Sequence, residues 1–373
     1  MNSATTSRGG TGGFLAGIVG LVITGAFVVW QLAAQGHAAF NTTSLGLMWG
    51  LPIVTYDFLL MSSAGLGIVA ALGTVFGLPA FRPLARRAVW LALALLVGAG
   101  AALFFELGSP LRALWAIPLN FQVASPLFWK VIGVVVYAIC LILLASGWVA
   151  KGADAKPSSG VSVVALVAAV FVIFTGSLLF ATLSMRPFWF SGEVPVMFLV
   201  ESVLAGLAFA LLFTHLAGTP DEATRAAVSG PLPRLVALLI AIQLAFVLGR
   251  MVVGLAANLD GMQVWQTIVA SPAFWIQIAF LAVALWLTSS PGMRASGSMQ
   301  VAALLLLLIA LFLGKYEFVI GGQLVPLFKG SWAHGLIQYS PSTTEWALLA
   351  MAGFLAYAVY AFGAARFRLG GAA

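Results

Sequence analysis

Asp57, Glu106, Lys130, Glu201 and Arg250 interrupt stretches of this 373-residue chain that are otherwise apolar, and Arg112 follows Glu106 across a Gly-Ser-Pro turn. An ionised group in hydrocarbon is costly unless it pairs or does chemistry. Carboxylates beside a lysine, with a tyrosine near, suit proton exchange with a small molecule. The stretch 106–130, ELGSPLRALWAIPLNFQVASPLFWK, holds Glu106, Arg112 and Lys130 together. It reads as one wall of a pocket for a lipid-borne quinone, whose head group has two carbonyls that gain or lose protons while its tail stays in hydrocarbon.

Depth separates the mechanisms. Asp57 lies six residues into an apolar span, Lys130 five, Glu201 six, and Arg250 five before the end of another, while Glu106 closes a third. At about 1.5 Å per residue all lie within roughly 10 Å of one boundary. The other halves of these spans hold no Asp, Glu, Lys or Arg apart from Arg234 at the rim. A transporter or proton channel needs polar groups near the midplane and a route to both faces. A redox site entered from the lipid needs them on one side only. Three alternatives stay open: Asp57–Lys130 and Glu201–Arg250 pairs that merely hold helices together, a proton- or solute-translocating module, and a structural anchor with no quinone. Asp57 and Glu106 are the expected proton acceptors. Lys130 and Arg112 would orient the head group, and Tyr137, seven residues after Lys130 on the same helical face, joins them.

Other chemistry fits poorly. The three histidines, His37, His215 and His334, form no pair that could face across a bilayer as haem ligands. A single cysteine, Cys140, cannot hold an iron–sulfur cluster, and no metal-ligand spacing or glycine-rich nucleotide loop appears. The reading is therefore no haem, no iron–sulfur cluster and no metal of its own. Ser63, Gly67 and Ala71 line one helical face, with Gly73 and Gly77 on another, as packing positions. The aromatic residues read as mostly lipid-facing or interfacial.

Hydrophobic residues make up 62% of the chain and charged residues 7%, with mean hydropathy +1.10, so a water-facing globular surface cannot be built from it. The formal charge of +7 is a membrane-orientation signal, not a nucleic-acid one. The apolar runs predict an all-α integral membrane protein of ten transmembrane helices, at roughly 14–33, 51–76, 88–106, 125–149, 161–184, 195–216, 232–255, 271–288, 299–316 and 345–366. The first is too long for a signal sequence and is kept as a helix. With a cytoplasmic N-terminus, eleven of the 17 Lys and Arg residues fall on inner segments and four, Arg112, Arg186, Lys315 and Lys329, on outer ones. Both termini are therefore expected in the cytoplasm of a bacterial inner-membrane protein. The long outer connections, 34–50, 107–124 and 317–344, suit a docking surface.

Val123-Ala124-Ser125-Pro126-Leu127-Phe128-Trp129 recurs as Val269-Ala270-Ser271-Pro272-Ala273-Phe274-Trp275, six matches in seven, each time opening a span from the outer side. Ser-Pro is an N-cap followed by proline at the first helical position. Four spans apart means the same orientation, so the chain reads as two parallel-repeat four-helix bundles, helices 2–5 (51–184) and 6–9 (195–316). Helix 1 (14–33) and helix 10 (345–366) flank them.

Trp49-Gly50-Leu51-Pro52-Ile53 leading to Tyr56, Asp57 and Ser63-Ala64-Gly65-Leu66, together with Glu106-Leu107-Gly108-Ser109-Pro110-Leu111-Arg112 running to Ser125-Pro126 and Trp129, resembles the polysulfide-reductase membrane-subunit family, often called NrfD-like, in its ten-helix form. The resemblance implies a subunit that reacts with quinone or quinol (menaquinone or ubiquinone) and carries no redox cofactor of its own. It implies electron exchange with a docked, periplasmic-side, ferredoxin-like iron–sulfur subunit. That subunit usually connects to a molybdopterin enzyme, a hydrogenase or multihaem cytochromes. The quinone site would lie in the first bundle, where Tyr56 joins Arg112, Lys130 and Tyr137 around the head group. Two features depart from the family pattern: Ser109 stands where many members have His or Arg, and no histidine lies between His37 and His215.

Overall fold

The structure, a computed structural model, describes residues 6–42, 46–151, 158–218, 221–257, 259–326, 335–367 and 369, with backbone alone for 6–11, 114, 118, 149–151, 257 and 259–261. Lys329 and His334 lie outside the described residues, as do Lys156 and Arg368 among the eleven inner Lys and Arg residues, of which Arg8 and Lys151 are described in backbone only. The helices are α1 (Thr6–Gln35), α2 (Leu51–Thr74), α3 (Ala85–Glu106), α4 (Pro110–Leu119), α5 (Pro126–Lys151), α6 (Ser159–Ala181), α7 (Val194–Ala217), α8 (Glu222–Ser229), α9 (Pro231–Ala257), α10 (Leu259–Ala270), α11 (Pro272–Ser289), α12 (Pro291–Arg294), α13 (Gly297–Gly321) and α14 (Thr343–Arg366). Among the described residues there is no strand, and ten helices are long and apolar enough to cross a bilayer. Each overlaps one of the ten expected spans.

Two closed rings of helices form the body. In the first, α2 packs on α3 and α6, and α5 on α6 and α3; in the second, α7 packs on α9 and α13, and α11 on α9 and α13. The rings meet along α2 and α7, while α14 lies against α3 of the first ring and α1 packs on α14. α2 is the axis of the molecule and buries the largest share of its length among the ten spans. Its sequence allows this, because Ser62, Ser63, Ala64, Gly65, Gly67, Ala70 and Ala71 leave room for neighbouring backbones on several sides. At the α2–α7 crossing a Cβ on Gly65 would strike the Ser202 carbonyl, and one on Gly206 the backbone of Gly65 and Leu66.

The two Ser-Pro starts are alike in detail. α5 begins at Pro126 and α11 at Pro272; the Trp129 indole donates to the Val123 carbonyl at 2.8 Å, and the Trp275 indole to the Val269 carbonyl at 2.8 Å. A short helix precedes each, α4 and α10, in connections where the hydropathy pattern predicts none.

Three further expectations change. α3 starts at Ala85, so Arg86 and Arg87, both 5% exposed, are buried at the end of a span opposite the Asp57 layer. That half of the molecule is therefore not free of charge. α13 runs to Gly321, past the expected end at 316, which draws Lys315 inside. The aromatic residues are not all peripheral: Trp49, Phe180, Trp189, Phe198 and Phe318 pack on one another in the interior, with Trp49 and Trp189 stacked at 5.6 Å.

Candidate functional site

The start of α2 is held from three directions. Gly50 caps it with Pro52 in its first turn, and the Leu51 amide donates to the Tyr339 hydroxyl at 2.8 Å. That hydroxyl donates in turn to Glu345 at 2.6 Å; burial, with the Glu345 carboxylate next, pushes the Tyr339 pKa well up. Gln323, just past α13, accepts from the Met48 and Trp49 amides at 3.0 and 2.9 Å and donates to the Trp49 carbonyl at 2.9 Å. Six residues into this anchored helix stands Asp57.

Asp57, 1% exposed, faces two lysines. Lys130 Nζ of α5 lies 3.3 Å from Oδ1 and Lys315 Nζ of α13 lies 3.6 Å from Oδ2. Lys315 is also 3.1 Å from Glu201 of α7, and Glu201 accepts from Gln243 of α9 at 2.8 Å. The formal charges of the four ionised groups cancel, which is what lets them stay buried. Aromatic faces support both cations: Lys130 lies 4.9 Å from the Tyr56 ring centre and Lys315 3.4 Å from that of Phe198. The network therefore runs through both rings of helices and across the α2–α7 crossing.

The structure thus brings Asp57, Lys130 and Tyr56 together and places Tyr137 seven residues further along α5, against α2 at Ser63. Tyr137 is fully buried and donates to the Ser63 carbonyl at 2.6 Å. Glu106 and Arg112 lie elsewhere. Glu106 closes α3 near Glu345, its backbone carbonyl 3.0 Å from His37 Nε2, and its Oε2 has no hydrogen-bond partner among the described residues. Arg112 is exposed on α4. The expected Glu201–Arg250 pair is corrected. Glu201 is held by Lys315 and Gln243, while Arg250 pairs with Glu193 at 3.3 Å and donates to the Phe188 carbonyl at 2.8 Å. The cause is the longer α13. The apolar run Phe318-Val319-Ile320 beyond Lys315 carries that signal. Gln243, alone in the apolar middle of α9, is a member of the network that the search for charged residues passes over; its polarity is the signal that could have found it.

Two cavities open on the face where α2, α5, α7 and α11 begin. One, of about 490 Å³, is lined by Met48, Trp49, Leu183, Arg186, Trp189 and Gln323 among others. It is walled mainly by apolar side chains. Arg186 donates to the Val325 carbonyl at 2.6 Å, and burial pulls its pKa below the usual arginine value. The floor is the interior aromatic cluster, which passes from Trp49 and Trp189 through Phe180 to Phe198, the ring beneath Lys315. The other cavity, of about 420 Å³, lies across the 182–193 connection. Between Asp57 and Glu201 the packing is tight; the space lined by Met61, Ser62, Glu201 and Lys315 is only about 10 Å³. Among the described residues no group of three or more His, Cys, Asp or Glu could hold a metal ion.

A ten-helix membrane body with a buried network of paired charges beneath a cavity-bearing face defines the class. The chain belongs to the polysulphide reductase NrfD family, whose model matches residues 40–327. It is also similar to a protein of Mesobacillus selenatarsenatis named as one of the subunits of selenate reductase, 22% identical over 376 residues, a match covering 87% of each chain.

Proposed function

We propose that this protein is the membrane subunit of an oxidoreductase complex, exchanging electrons between the quinone pool and an iron–sulfur subunit docked on the cavity-bearing face. Family membership supports the first part, and the relative named as a subunit of selenate reductase points to partner subunits. The observation that carries the quinone reading is the about 490 Å³ cavity at that face, large enough for a ring and walled by Trp49 and Trp189, directly above the aromatic floor that touches Lys315.

In this reading quinol enters from the lipid and loses two electrons and two protons. The electrons leave singly to the docked cluster, across the connections 34–50 and 107–124. Asp57 and Glu106 remain the candidate proton acceptors: Asp57 through its lysine partners, Glu106 through the oxygen that has no hydrogen-bond partner among the described residues. Gln323 and Arg186 are the polar side chains that line the cavity, Lys130 pairs with Asp57 beside the Tyr56 ring, and Tyr137 braces the α2–α5 contact. Arg112, exposed on α4, suits the partner's surface or the membrane interface. Reduction of quinone is the same path reversed. The outward facing of this site, with both termini in the cytoplasm of a bacterial inner membrane, follows the positive-inside count.

The test is quinol oxidation by the co-purified complex. Met185, 72% exposed at the cavity rim, can be enlarged without disturbing the interior. Met185→Trp is expected to raise the KM for a short-chain quinol about tenfold with the complex intact. Unchanged KM in this variant, together with unchanged turnover in Asp57→Asn, would overturn the reading. A proton-conducting module has one observation in its favour: the network extends to Gln243, midway along α9. Proton uptake by vesicles holding the protein without its partners would decide for that alternative.

A further inference from the structure

The about 420 Å³ cavity in the second ring is built from residues that the first site does not use. It is lined by Phe188, Phe190, Glu193, Gly249, Arg250 and Trp265, among others. The 182–193 connection divides the two cavities: Leu183, Arg186 and Trp189 line one, Phe188, Phe190 and Glu193 the other. Both therefore lie in the same layer at the same face. The second is open sideways, because Phe190 is 55% and Val253 63% exposed at its edge.

Its polar element is a buried guanidinium. The Arg250 side chain, 9% exposed, pairs through Nε with Glu193 and gives one Nη2 hydrogen to the Phe188 carbonyl. Among the described residues Nη1 meets the Met197 thioether at 3.3 Å, a weak acceptor. Such a group is left with hydrogen-bonding capacity toward the cavity it lines. The rings of Phe188 and Phe318 flank it at 5.2 and 5.0 Å. Because Glu193 cancels its charge, the site disfavours an anionic head group such as a lipid phosphate and favours a neutral acceptor. Aromatic walls, a carbonyl-seeking donor and a lateral opening together define a flat, neutral, carbonyl-bearing molecule with an apolar tail. We propose that this cavity is a second binding site for a compound of the quinone class, separate from the one assigned above. Its existence does not depend on that assignment, since binding is read here without turnover.

Gly249 gives a clean test: a Cβ there meets nothing within 4 Å, so a bulky side chain fills the cavity without forcing the helix. The complex in nanodiscs is photolabelled with a tailed azidobenzoquinone and the adducts are mapped by mass spectrometry. Adducts are expected within 187–193 and 245–254, displaced by excess unlabelled quinone but not by phosphatidylglycerol. Gly249→Phe and Arg250→Gln should each reduce them at least tenfold and leave adducts within 182–186 unchanged, whereas Met185→Trp should do the reverse. The proposal is overturned if labelling within 187–193 and 245–254 is absent, survives both variants, or yields to phosphatidylglycerol. Loss of adducts within 182–186 alone speaks only against the first site.

Discussion

Replacing Asp57 by Asn leaves Lys130 and Lys315, 2% and 3% exposed, facing one another with Glu201 as the only carboxylate in contact among the described residues. Stranding a buried charge in this way costs about 3–5 kcal/mol, more than the net worth of the pair itself. Asp57→Asn alone is therefore expected to assemble poorly. Asp57→Asn with Lys130→Met, which removes a complete pair and keeps Lys315 with Glu201, is expected to recover most of the thermal stability of the detergent-solubilised protein. Quinol turnover should stay low in the double variant if Asp57 also takes protons. A double variant no more stable than the single one would mean that the two charges are independent. Equal recovery of stability and turnover would make the pair purely structural.

Helices approach closely in lipid only where side chains are small, and the α2–α7 crossing depends on two such positions. Gly65→Val brings Cβ atoms into the Ser202 carbonyl and forces the two rings apart. The expected result is loss of folded protein on size-exclusion chromatography, well beyond the usual overpacking cost of about 1–3 kcal/mol, because a backbone atom cannot move aside as a side chain can. Gly100→Ala, where a Cβ meets nothing, is the control and should be neutral. The spans themselves are legible in the sequence because hydrophobic length writes them directly. Ser63 and Gly67 are packing positions, as their spacing predicts: Ser63 donates to the Ala92 carbonyl and Gly67 lies against the Tyr137 hydroxyl. Gly65, which seats the other ring, does not stand out from its neighbours. Nor does composition mark where a span ends. Lys315 and Arg87 read as loop residues because charge ordinarily signals an interface, and here it is buried among partners supplied by distant helices.

At the scale of the molecule the two faces differ in kind. One carries α4, α10, both cavities and the anchored start of α2; the other carries the short connections around α8 and α12. The ion network lies nearer the first face, so that is where the proposed partner and lipid-borne substrate would reach the same layer. Which face is extracytoplasmic decides where electrons would leave in the proposed function, and the positive-inside count predicts the first face outward. A labelling experiment follows from the cysteine usage. Cys140 is the single cysteine and is buried, so it should remain silent in native membranes. Gly192 on the first face and Gly292 on the second are exposed, and a Cβ at either meets nothing within 4 Å, so Gly192→Cys and Gly292→Cys should fold as the parent does. A membrane-impermeant maleimide applied to intact spheroplasts should modify Gly192→Cys and spare Gly292→Cys until the membrane is opened. The reverse pattern would put both cavities on the cytoplasmic side, and the docking surface of the proposed electron acceptor with them.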